Sequence, residues 1–135
     1  MLGGKKMVQS LNTKVDLVAD ATSFMGLSEY GKVMIGDNAF EFYNSRDSNK
    51  YIQIPWNEVT YVEASVMFKG HWIPRYAIHT RHDGRFIFAS KHPKTVLRAM
   101  RTHLGPNKMF RALTFMQNIK RGLKNMGFTI NKKKK

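Results

Sequence analysis

The chain has 135 residues, of which 42% are hydrophobic and 24% charged, with a net charge of +14 and no cysteine. That length suits one domain with a sizeable core, and the missing thiols exclude disulfides, thiolate nucleophiles and Cys-based zinc sites. No run approaches the ~18 apolar residues a membrane-spanning helix needs, and the start MLGGKKMVQS has no apolar core of a secretory signal.

In chain order, residues 1–13 carry Gly3, Gly4, Lys5 and Lys6 and are expected to form a flexible N-terminus. Lys14 to Asp20 alternates Val15, Leu17 and Ala19 with polar neighbours and predicts a strand. Residues 21–31 are broken by Gly26 and Gly31, and Phe24, Met25 and Leu27 are expected to tuck under a barrel edge. Two strands, Lys32 to Ile35 and Ala39 to Tyr43, flank the turn residues Gly36, Asp37 and Asn38. In the second of them Phe40 and Phe42 alternate with Glu41 and Tyr43. Tyr51 to Ile54 predicts a short strand ended by Pro55, with Trp56 as a core residue, and Glu58 to Phe68 a long one. After the loop from Lys69 to Arg75, Tyr76 to Thr80 and Arg85 to Ala89 form a hairpin across Asp83-Gly84.

The period then changes from 2 to 3.6. Val96, Leu97, Met100 and Leu104 share one helical face, with Lys94, Arg98 and Arg101 on the other. Pro93 suits the first turn, Ser90 or His92 the cap, and Gly105-Pro106 the end. A second helix is expected from about Lys108 to Asn125, followed by a Lys-rich tail. The expected fold is therefore α+β and mainly β. It is a seven-stranded antiparallel barrel of pleckstrin-homology or GRAM-like type over residues 14–104, capped by a C-terminal helix. Residues 105–135 add a basic amphipathic helix and tail.

The charge is segregated. Residues 91–135 hold thirteen Lys/Arg and no Asp or Glu, whereas residues 1–90 hold ten Lys/Arg and all nine acids. This points to an anionic partner: a membrane surface, an acidic protein face or nucleic acid. On the last helix the apolar arc of Met109, Leu113, Met116 and Ile119 is widened by Phe110, Phe115 and Met126 beyond what one core contact needs. Lys120 and Lys124 can snorkel at its edge, and Arg111 and Arg121 hold the polar face. Phe110, Arg111, Phe115, Arg121 and Lys124 are the candidate partner- or membrane-binding residues, with Trp72 and Arg75 of the aromatic–basic loop MFKGHWIPRY second.

No catalytic residue, metal site or cofactor is expected. His71, His79, His82, His92 and His103 form no ligand motif, and no G-x-S-x-G, G-x-G-x-x-G or Walker sequence occurs.

The strings MVQSLNTKVDLVADATSFMGLSEYGKVMIGDNAFEFYN, YIQIPWNEVTYVEASVMFKGHWIPRYAI, FIFASKHPKTVLRAMR and MFRALTFMQNIKRG together resemble the Firmicute family called domain of unknown function 956. The resemblance covers about Met7 to Gly122. Its members are also labelled ManO, mannose-operon regulatory proteins, and their genes accompany the membrane components of mannose-family phosphotransferase transporters. The resemblance carries over no catalytic residue. It implies an accessory protein in the cytoplasm, peripheral at the inner face of the cell membrane, whose partner is a membrane subunit of such a transporter or the anionic lipid around it. The alternatives are a DNA-binding regulator of the mannose operon and a module that self-associates through its last helix.

Overall fold

Turn chemistry and alternation divide the chain into short strands, and the computed structural model describes residues 9–112. Seven strands precede the helix: β1 (Val15–Ser23), β2 (Glu29–Gly36), β3 (Ala39–Asn44), β4 (Tyr51–Pro55), β5 (Val59–Met67), β6 (Trp72–Thr80) and β7 (Arg85–Ser90). Helix α1 (Pro93–Leu104) follows, and then an eighth strand, β8 (Met109–Ala112). The fold is α+β and mainly β, as expected. The strands form one eight-stranded sheet in the order β4-β3-β2-β1-β7-β6-β5-β8. All neighbours are antiparallel except β5 and β8, which are parallel.

Several expectations need correction: the sheet has an eighth strand, parallel to its neighbour, rather than seven antiparallel ones, and β6 begins at Trp72 inside the expected loop. The helix predicted from Lys108 begins instead as β8, where Val62 pairs with Met109 and Ala64 with Arg111. Four residues are too few to separate the two periods, and backbone pairing with β5 decides the outcome. The rest of that predicted helix, with the tail, lies outside the described residues. The strand expected to stop at Asp20 runs on to Ser23, and β2 begins at Glu29, so Gly31 lies inside a strand rather than at a break. Met25 (44% exposed) and Leu27 (87%) do not tuck under the sheet. Only Phe24 is covered, by the Arg75 guanidinium 4.5 Å from its ring centre.

The sheet bends so that its two halves face each other. Phe40 of β3 meets Phe88 of β7 with ring centres 5.0 Å apart and Tyr76 of β6 at 6.4 Å. Val33, Ile35, Val62 and Ile78 fill the space between the halves. Val96 and Met100 of α1 close one end, both fully buried. His92 occupies the N-cap position with a left-handed φ of 54°, but its side chain makes no capping bond. Ser90, the other predicted cap, instead pairs its hydroxyl with Tyr76 Oη at 2.6 Å. Gly105, at φ 86°, ends the helix as predicted, its N–H donating to Arg101 O at 2.7 Å. Trp56 packs partly buried against the core and donates its indole N–H to Gly36 O at 2.9 Å.

Residues 9–13 do not behave as a loose start. Asn12 Oδ1 accepts the amides of Asn38 and Ala39, each at 2.8 Å, and Asn12 Nδ2 donates back to Ala39 O at 3.1 Å. Asp37 accepts the amides of Thr13 and Lys14 and the Thr13 hydroxyl. These bonds hold the Asp37 carboxyl below its usual pKa, the Thr13 hydroxyl contributing most. The first eight residues lie outside the described ones.

Tyr76 gives the core a titratable group. Burial pushes its phenol well above the usual value of 10, with Ser90 opposing in part. A folded-state pKa above the unfolded one means that the native state keeps a proton the unfolded chain releases. The stabilisation is complete below about pH 10 and is lost as pH rises beyond it, by up to ~1.4 kcal/mol per pH unit. Urea melts between pH 9 and 11 should therefore show a steeper fall in stability for the wild type than for Tyr76→Phe. Equal slopes would mean that the phenolate is accommodated without loss.

Candidate anion-binding groove

The polar face of α1 and the return of the chain along β5 create one acid-free surface. Lys94, Arg98 and Arg101 recur at helical spacing on the exposed side of α1. The Gly105-Pro106 turn brings the chain back, and β8 settles beside β5. Alternation then sends Met109 and Arg111 to the face that carries Val62 and Ala64, and Phe110 to the opposite face. Between α1, β8 and the end of β5 lies a groove of about 510 Å³. Ala64, Val66, Ile73, Leu97, Met109 and Phe110 supply its apolar lining. Lys69, Lys94, Arg98, Arg101 and Arg111 supply its charge, and no acid lines it. All nine acids of the chain fall within the described residues. The ion pairs found there use other groups: Asp20 with Lys32, and Glu63, Glu58 and Asp16 with His79, His82 and His103. Five like charges around an apolar floor repel one another, and an anionic ligand would relieve that repulsion.

Two smaller depressions flank β1 and are charge-compensated. Asp20, which lines both, bonds Lys32 Nζ at 2.6 Å, and that hydrogen bond and charge hold its carboxyl below the usual range. No group of three or more His, Asp or Glu side chains placed to hold a metal ion occurs among the described residues. His79 bonds Glu63 at 2.7 Å and stacks on Tyr61 at 4.1 Å, and His103 bonds Asp16 at 2.8 Å and stacks on Trp56 at 5.0 Å. Each histidine is thus used to fasten one strand or helix to another.

The predicted site residues separate. Arg111 lines the groove. Phe110 lines it too; it is 52% exposed, and its ring stands edge-on to Tyr61 at 5.6 Å. Phe115, Arg121 and Lys124 lie outside the described residues. Trp72 is half exposed and stacks on Phe68, which is 66% exposed, with ring centres 6.2 Å apart. Ile73, next to it, turns into the core. Arg75 is exposed on the outer face over Phe24, away from Tyr76 and Ile78 on the core face.

The residues missed by sequence reasoning are Lys69, Lys94, Arg98 and Arg101. The sequence places the helical three only on the face opposite the apolar stripe of α1. Their signal was the lack of any acid at i±3 or i±4, where a surface helix commonly places one.

Among solved structures, the C-terminal domain of an unknown protein from Leishmania infantum has a similar fold, with a TM-score of 0.59 at 10% identity over 67% of this chain and 84% of that one. At that identity the likeness speaks for the fold alone. No curated protein matches the sequence. Residues 7–123 match the family described as Domain of unknown function (DUF956), and with most of its length inside that match the chain belongs to this family.

Proposed function

We propose that this protein is a non-enzymatic accessory and regulatory protein of a mannose-family phosphotransferase sugar transporter. It docks through its basic C-terminal third on the cytoplasmic side of the membrane component, or on the anionic lipid beside it. The observation that carries the reading is the acid-free segment 91–135, four of whose cations stand around one groove. The transporter enters through the family resemblance and the genes that accompany that family. We take the body to be a pleckstrin-homology or GRAM-like domain, because seven antiparallel strands precede a helix that closes one end of the core. No helix among the described residues is long and apolar enough to cross a membrane, which fits peripheral attachment.

The test is capture from native membranes by the tagged full chain and by a chain ending at Ala112. The cut belongs there because removing β8 as well would strip a strand from β5. Transporter membrane subunits should co-purify with the full chain and less with the shortened one, which keeps the groove cations but loses the basic residues beyond Ala112. A protein that stays in the supernatant and captures no subunit overturns the reading. The same charge favours a second reading, a DNA-binding regulator of the mannose operon. Phosphate contacts would make its affinity fall steeply with salt. Failure to shift any operator fragment at low salt removes it.

A further inference from the structure

The groove does not end at its charges. Lys69 and Gly70 line it, and they belong to the turn Phe68–Gly70 between β5 and β6. Phe68 and Lys69 both hold left-handed backbone conformations, with φ of 53° and 56°, and Gly70 follows at 90°. A positive φ is unusual for a bulky aromatic residue and is retained where surrounding structure or function demands it. Its consequence here is spatial. The turn carries Phe68 outward, stacked on Trp72 and away from the core, next in the chain to Lys69 and Gly70 of a groove with five cations and an apolar floor.

We infer that the groove and this turn together form a site for the phosphate headgroup of an anionic phospholipid within a bilayer. The inference rests on the membrane-side docking reading and assigns its chemistry. Arg98, Arg101 and Arg111 offer forked donors that suit phosphate oxygens, and Lys69 and Lys94 add point charges. Phe68 and Trp72 occupy the headgroup level, where amphipathic aromatic rings are favoured. The apolar lining from Val66, Ile73, Leu97 and Met109 meets the glycerol and upper acyl carbons. An acidic peptide would satisfy the charges, but it would leave two exposed aromatic rings without a matching phase. Duplex DNA offers phosphate and no apolar layer at all.

The experiment uses the full chain with phosphatidylcholine vesicles, with and without phosphatidylglycerol. It compares wild type, Arg98→Ala/Arg111→Ala, Phe68→Ala and Trp72→Phe. All four sites are partly or fully exposed, and unchanged far-UV circular dichroism with a cooperative thermal melt checks that each variant is folded. Wild type should co-sediment only with phosphatidylglycerol-containing vesicles, with a blue shift in Trp emission that Trp72→Phe loses. The double Arg variant should bind about 30-fold more weakly, equivalent to ~1 kcal/mol for each charge near an anionic leaflet. Binding that ignores these variants and leaves Trp emission unchanged would assign the lipid contact to residues 113–135. That overturns the inference and leaves membrane docking standing. Capture of transporter subunits without vesicle binding overturns it too, in favour of a protein face. So does equal competition by inorganic phosphate, which would mark a site for the free anion, or a shift of duplex DNA in the absence of vesicle binding.

Discussion

Replacing Glu41 by Ala should cost about 3 kcal/mol of stability, the scale expected when a buried hydrogen-bonded charge is removed from its partners. Glu41 is fully buried, and its carboxylate is held by neutral donors alone. Ser10 Oγ at 2.6 Å and Asn12 Nδ2 at 3.0 Å donate to Oε1, and the Leu11 amide at 2.8 Å and Gln53 Nε2 at 3.0 Å donate to Oε2. Three of the four come from the N-terminal segment, so the carboxylate is the peg on which residues 10–12 hang. With a urea dependence of ~1–3 kcal/mol per molar, the midpoint should fall by about 1–3 M. The Leu11 amide should also lose protection from hydrogen exchange. Deleting residues 1–12 from the wild type should cost about as much, and deleting them from the Glu41→Ala protein should cost little more. Full additivity of the two changes would show that segment and carboxylate stabilise the fold independently.

The position of Glu41 also shows what was legible in the chain. Alternation placed Phe40 and Phe42 on one face of β3 and Glu41 on the other, and that is correct. It could not show that the other face is covered, because the cover comes from residues about thirty positions away. The hairpins at Gly36-Asp37-Asn38 and Asp83-Gly84 were readable because turn chemistry is local. The end of β1 was not. Ala21 and Ser23 are both buried there, but neither is apolar enough to register as an inward position. β8 was mistaken for helix because Met109, Ala112 and Leu113 fit a 3.6 period equally well, and its pairing with β5 is non-local.

The groove was half legible for the same reason. Segregation of charge identified the basic third, and Arg111 and Trp72 were chosen from it and from the aromatic loop. The meeting of Lys69, α1 and β8 depends on the parallel pairing of β8, which no local pattern announces. That pairing also sets Phe110 and Arg111: both line the groove, and alternation along the strand stands the Phe110 ring edge-on to Tyr61. Charge from three separate segments, none of it neutralised by an acid, is retained at one place. Self-repulsion of this kind disfavours the compact state, and the anionic partner proposed above would relieve it.

Gly31→Ala should be the most damaging exchange of one small residue for another in the sheet, at about 3 kcal/mol or more. Gly31 pairs with Ala21 of β1 on one side and Asn44 of β3 on the other. Its φ is not in the left-handed region, so the demand for glycine is one of space. A Cβ built there would lie 2.1 Å from Tyr43 O and 2.8 Å from the tip of the Phe42 ring. The ring could rotate, but the carbonyl belongs to the backbone of β3, so relief requires β2 and β3 to part. Overpacking of this kind costs ~1–3 kcal/mol and more where backbone must move. At ~4 °C per kcal/mol for a domain of this size, the melting temperature should fall by about 12 °C. Gly26→Ala is the control. Gly26 has a φ of 84° with nothing within 4 Å of a new Cβ, so it tests conformation without crowding and should cost only ~1 kcal/mol. Equal losses in the two variants would refute the steric account. Because Gly31 lies in the half of the sheet away from β5 and β8, the Gly31→Ala protein that remains folded at low temperature should still bind anionic vesicles as the wild type does. Loss of that binding would mean that strain in β2 reaches the groove through β1 and β7.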